Sequence, residues 1–297
     1  MALMKPEAQL PTVHPFAAVL YQEELFNLQK QSSLNYLAPE ELAMTVEMVS
    51  GVALLNQALE TEDLVSIQNH LQNPSIRFHN LDEGHLEWYA NRLMSIKIEA
   101  LSEGQDNLSR NEIQNLIDII YVEIQEEKAR LIAVDEINAV IREGDPSNTV
   151  MALMKPEAQL PTIHPFAAVL YQDELFNLQK QSSLNYLAPK ELTMAVEMVL
   201  GVALLNQALE TEDLVSIQNH LQNPSIGFHN LDKEHLERYA SRLMSIKREA
   251  SSQGQDNLRR DEMQNQIDRV NEEIQEEKAS KCSQFGFAEW LKISTSG

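Results

Sequence analysis

One cysteine, Cys282, is present in 297 residues. A single thiol excludes an internal disulfide framework and a cysteine-based zinc site, and it agrees with a reducing compartment. Glycine and proline number only 9 and 11, and aromatics make up 6%, a scarcity that favours helix over sheet. Positive charge is also short: 23 Lys and Arg stand against 45 Asp and Glu, a formal net charge of −22. Phosphate backbones and anionic lipid surfaces are repelled by that balance, so nucleic acid is not an expected partner. No run of about 18 apolar residues occurs. Met1 leads into a polar, proline-containing stretch rather than a basic and then apolar one, so no membrane insertion is expected and the chain reads as cytoplasmic.

What is abundant is repetition. MALMKPEAQLPT begins at Met1 and again at Met151, and pairing residues 1–129 with 151–279 gives identity at 107 of 129 positions without a gap. The expected organisation is a first copy at 1–150, a second at 151–279 and a divergent tail at 280–297. A finer match lies inside the period. Leu-Asn-Gln-Ala-Leu at 55–59 corresponds to Ile-Asn-Ala-Val-Ile at 137–141, a shift of 82 that also carries Asp63 onto Asp145, Leu71 onto Leu153 and Pro74 onto Pro156. A shift of 68 carries Pro6 onto Pro74, Tyr21 onto Tyr89 and Leu25 onto Leu93. Each copy is therefore two diverged half-units, one 14 residues longer than the other, and an insertion of roughly four helical turns leaves an apolar face nearly unturned.

Breakers place the helices. Pro15 and Pro39 sit where a first-turn proline would, and Glu40 and Glu41 suit the positive end of a helix dipole. From Pro39, Leu42, Val46, Val49, Ala53, Leu55 and Leu59 keep three-to-four spacing to about Thr61, and Asp63 then caps a short helix carrying Leu64, Ile67 and Leu71 before Pro74. This pattern recurs at 135–156 and 203–224 and reads as a helical hairpin. Further helices are expected near 16–31 and 83–101, with a long one from about Arg110 to Arg142. The predicted class is all-α, with tandem hairpins and long amphipathic helices in a repeat array. Met1 aligns with a point inside a hairpin, and after Ala279 SKCSQFGFAEWLKISTSG replaces the apolar run of Leu131, Ile132, Val134 and Ile137. The chain is therefore expected to be a piece of a longer repeat protein.

The stretches AQLPTVHPFAAVLYQEELFNLQKQ from Ala8, VEMVSGVALLNQALE from Val46, NEIQNLIDII from Asn111 and DEINAVIREGDP from Asp135 resemble the IQGAP scaffold family over residues 1–279. In that family, internal helical repeats lie between an actin-binding calponin-homology domain and later WW, IQ and GTPase-activating-related domains. The resemblance implies roles in cytoskeletal organisation and small-GTPase signalling, and a place at the cell cortex. It also implies a rival function, the calmodulin-linked regulation of small GTPases by full-length members. Ile67-Gln68, Ile113-Gln114 and Ile124-Gln125 lead into acidic, apolar or amide residues instead of the arginines of an IQ motif. Nothing resembles the other modules, so calmodulin, actin and GTPase binding do not carry over.

Candidate chemistry is thin. His79, Asp82 and His85, recurring as His229, Asp232 and His235, form the best metal-like cluster. A structural zinc wants four ligands, and the alternative is a helix cap at Asp82 flanked by surface histidines. Glu60, Glu62 and Asp63 lack the alternating oxygens and central glycine of a calcium loop. No nucleophile elbow or phosphate loop is present, and Cys282 has no obvious partner. The expectation is no catalytic, cofactor or metal residue, and a non-enzymatic scaffold that docks unidentified proteins or itself. The copies differ in one respect: Trp88, Leu101, Leu116, Ile119, Tyr121 and Val122 become Arg238, Ser251, Gln266, Arg269, Asn271 and Glu272. Either the first copy packs these residues against the second, which acts as a polar cap, or they are drift.

Overall fold

The computed structural model describes residues 10–31, 37–102, 104 and 107–294, the side chains of residue 31 and of 281–294 excepted. Among the described residues there are eleven α-helices and no strand, so the fold is an all-α repeat array. The helices are α1 (Ala18–Gln31), α2 (Pro39–Glu60), α3 (Leu64–Leu71), α4 (Leu86–Ser102), α5 (Arg110–Glu143), α6 (Pro146–Leu153), α7 (Ala168–Gln181), α8 (Pro189–Glu210), α9 (Leu214–Leu221), α10 (Leu236–Ser252) and α11 (Arg260–Ser294). Two compact units, Met1–Lys128 and Ala129–Gly297, part inside α5. The helix of 34 residues takes up most of the extra length of the longer half-unit, since α2 and α8 have 22 each. Helix α11 continues through the point where the second copy stops following the first.

The hairpins form as their sequence dictates. Pro39 and Pro189 open their helices, and Glu41 and Glu191 accept the N–H groups of Ala38 and Ala188 at 3.0 and 2.9 Å. At the other end, Asp63, Asp145 and Asp213 each cap the short helix by accepting first-turn N–H groups. The residue before each cap is left-handed: Glu62 at φ 54°, Gly144 at 84° and Glu212 at 52°. Gly144 adopts this conformation without a Cβ penalty, whereas the two glutamates hold it against one.

In the first unit the core surrounds α2, which packs on α1, α3 and α4; in the second, α8 packs on α7, α9 and α10. Helices α2 and α8 are long and apolar enough by composition to cross a membrane. Their apolarity has a local explanation, because more than half of each such window is buried inside the protein. Gly51 and Gly201 permit close approach: a Cβ there would lie 2.7 and 2.5 Å from Cγ1 of Ile76 and Ile226. The equivalent positions of the third hairpin, made by the end of α5 with α6, hold Ala133 and Ala158, both buried. The size moves from one partner to the other and the pair still fits.

A buried asparagine ties each hairpin to the loop that starts the next long helix. Asn56 Nδ2 donates to Leu108 O at 2.9 Å while its Oδ1 accepts from Leu108 N at 2.8 Å. Asn138 does the same with Leu187, at 3.0 and 2.8 Å, and Asn206 with Leu258, at 2.9 and 2.8 Å. Two hairpins add a buried lysine. Lys97 Nζ reaches Asn56 Oδ1 and Glu60 Oε1, each at 3.2 Å, and Lys247 reaches Glu210 at 2.9 Å. In the third, Arg142 replaces the acid and neutral Gln179 the lysine, with Gln179 Nε2 donating to Asn138 O and Oδ1. Two facing cations are thereby avoided.

Candidate functional site

The loops after α3 and α9 carry the metal-like residues, and each is pinned from several sides. Arg110, first residue of α5, donates from Nε to Ile76 O at 2.8 Å and from a terminal nitrogen to Arg77 O at 2.7 Å. Gln114, one turn later, exchanges two 3.1 Å hydrogen bonds with the backbone of His79. The second copy repeats both devices, with Arg260 on Ile226 and Gly227 and with Gln264 on His229. A tyrosine closes the loop: Tyr89 Oη accepts the Asp82 N–H at 3.3 Å and donates to Asn80 O at 3.0 Å.

Within this frame Asp82 caps a single turn at Glu83–His85, accepting from Gly84 N at 3.1 Å. Its Oδ1 also lies 3.2 Å from His85 Nδ1, and its Oδ2 accepts from Lys128 Nζ at 2.5 Å. These partners, Lys128 foremost, hold the Asp82 carboxyl down to about 2. His79 turns elsewhere, its Nε2 3.8 Å from Asp118 and its side chain 62% exposed. In the second copy Asp232 caps in the same way, His235 stands 3.8 Å from it, and only the backbone of His229 is held. The two histidines of the first trio thus face different acids. Glu60, Glu62 and Asp63 also diverge, to Lys97, to a left-handed turn and to the α3 cap respectively. Among the described residues no three His, Cys, Asp or Glu are grouped to hold a metal. The Cys282 side chain lies outside the described residues.

The surface offers a second candidate. In the first unit Trp88, Ile98 and Leu101 on α4 are 39, 54 and 40% exposed, and Ile119 and Val122 on α5 are 55 and 53% exposed. The Arg92–Glu123 pair at 3.4 Å sets these two helices side by side. The second copy keeps that pair as Arg242 with Glu273 and puts charge where Trp88 and Ile98 stand: Arg238 pairs with Glu277, and Arg248 with Glu212 at 2.7 Å. Exposed pairs of this kind add about 0–1 kcal/mol each, so the copies differ more in surface chemistry than in stability.

Asn56, Asn138, Asn206 and Lys97 carry buried polar links whose partners no local sequence pattern announces. The available signal was an amide at one fixed place in three apolar runs.

No family model matches the chain, and no solved structure does. Ras GTPase-activating-like protein IQGAP2 of Homo sapiens is 46% identical over 264 residues, which is 83% of this chain. The Mus musculus protein of the same name is 45% identical over 265 residues. Ras GTPase-activating-like protein IQGAP3 of Homo sapiens is 33% identical over 242 residues, or 76% of this chain. The chain spans 15–17% of the length of these relatives.

Proposed function

Given that this chain carries IQGAP-family sequence over 83% of its length, we propose that it is a non-enzymatic scaffold segment whose helical-repeat faces dock proteins, a second copy of itself included. The observation that carries the reading is the exposed apolar group of Trp88, Ile98, Leu101, Ile119 and Val122 on an otherwise tightly pinned framework. Exposed apolar groups on a rigid repeat surface are what partner recognition uses. The net charge of −22 speaks against nucleic acid and anionic membranes as partners, and the family resemblance favours the cytoplasm and its cortex. Light scattering across a concentration series tests self-association: a mass that grows with concentration supports it, and a monomer throughout removes that arm. The relatives' names favour a second reading, regulation of a Ras-type GTPase, to which the family resemblance adds calmodulin linkage. A calmodulin pull-down with and without calcium separates the two, since capture by this chain would favour the regulator.

A further inference from the structure

We propose that the face of α1 bearing Gln22 and Leu25 docks a helical hairpin of the kind this chain forms at residues 133–153. The inference rests on the scaffold reading and names one docking face and its occupant.

Helices α1 and α7 are nearly the same sequence, differing only at Glu23 and Asp173, yet they are covered differently. On α7, Gln172, Leu175 and Gln179 are 5, 0 and 2% exposed. Their cover comes from the end of α5 and from α6, which packs on α7. Gln172 Nε2 donates to Ile141 O at 2.8 Å, its Oε1 accepts a short hydrogen bond from Thr149 Oγ1, and Leu175 sits in the core with Ile137, Ile141 and Leu153. On α1 the matching Gln22 is exposed and Leu25 is only half-buried. Leu42 on α2 is likewise half-buried, where its counterpart Leu192 is fully buried. The first unit therefore presents a surface whose complement is visible in the second.

The occupant is specified by one position. Where the 133–153 hairpin has Thr149, the hairpins of α2–α3 and α8–α9 have Ile67 and Ile217. The helices covering those two carry Ala90 and Ala240 where α7 carries Gln172. A glutamine facing an isoleucine would be buried without a partner for its amide, so Gln22 selects a hairpin with a threonine or equivalent hydroxyl at that place.

The test is fluorescence anisotropy of a labelled peptide of residues 129–158 titrated with the intact chain. Saturable binding is expected, about tenfold weaker for Gln22→Ala in the chain or for Thr149→Ile in the peptide, the loss that follows when a buried polar group is left without its partner. Leu25→Ala should weaken it similarly, and Val65→Ala, an exposed residue on α3, should leave it unchanged. Absence of saturable binding overturns the proposal. So does binding indifferent to both Gln22→Ala and Leu25→Ala, which would put the peptide elsewhere on the chain. A dimer of the intact chain that Leu25→Ala dissolves, without peptide binding, would place a second copy on this face and also overturn the hairpin, while leaving the scaffold reading standing.

Discussion

Tyr21 and Tyr171 hold the same position in α1 and α7, and one neighbour separates their circumstances. Tyr21 Oη accepts from His14 N at 3.3 Å and bonds Ser50 Oγ at 2.7 Å, and Ser50 in turn donates to Thr12 O at 2.8 Å. Leu200 stands where Ser50 would be in the second copy, so the buried Tyr171 hydroxyl lacks the serine partner of Tyr21. Removing a well-satisfied hydroxyl is destabilising, and removing a buried one that lacks its side-chain partner is nearly neutral. In urea unfolding, Tyr21→Phe should therefore lose about 1 kcal/mol and Tyr171→Phe close to none. A second tyrosine responds to pH. Tyr186 donates to Asp135 Oδ1 at 2.8 Å, and burial together with that carboxylate pushes its hydroxyl up to about 12. A raised folded value means the bond contributes fully below the ordinary tyrosine value of about 10 and is lost as pH climbs through the folded one. The thermal stability advantage over Tyr186→Phe should hold at pH 9 and shrink steadily on the way to pH 12, as differential melting curves would record.

At the scale of the element, the hairpin turns on a fit between backbone and side chain. Gly201→Ala drives a methyl group into Ile226, whose Cγ1 would lie 2.5 Å from the new Cβ, and overpacking of this kind removes about 1–3 kcal/mol. The third hairpin contains the remedy, Ala133 with Ala158. Gly201→Ala combined with Ile226→Ala should therefore be less destabilised than the two single changes summed, a coupling that a double-mutant cycle by urea denaturation measures. The helices themselves were legible in the sequence: the prolines, the aspartate caps and the three-to-four apolar spacing act locally, and the observed boundaries at Pro39–Glu60 and Leu64–Leu71 follow them. Asn56 was not legible in the same way. Its partner Leu108 is 52 residues away, and an amide in an apolar run announces a buried hydrogen bond without saying to what. The histidine trios are the opposite case, near in sequence and apart in contact. His79, Asp82 and His85 lie close in sequence, but the capped turn between them sends the imidazoles to different acids.

Across the whole molecule, two nearly identical sequences carry different exteriors on similar interiors. Most buried apolar positions of the first core recur in the second, while exposed apolar residues of the first copy give way to arginine and glutamate in the second, Trp88 to Arg238, Ile119 to Arg269 and Val122 to Glu272. If self-association uses that surface, Ile119→Arg with Val122→Glu, which writes the second copy's Arg269 and Glu272 into the first, should return the chain to a monomer in light scattering. Ammonium sulfate should strengthen the parent's association, because it favours apolar burial while screening ion pairs.

The paired positions of the hairpins bear on how such a chain can be copied. Gly with Ile exchanges for Ala with Ala, an acid with Lys exchanges for Arg142 with Gln179, and Ile with Ala exchanges for Thr149 with Gln172. The two kinds of half-unit are thus keyed differently inside. A genetic crossover that joined the front of one kind to the back of the other would set an arginine beside a buried lysine or an isoleucine against a glutamine amide. Crossover in the 150-residue register leaves every key in its own lock. The copies here match at 107 of 129 positions, and they do so in that register.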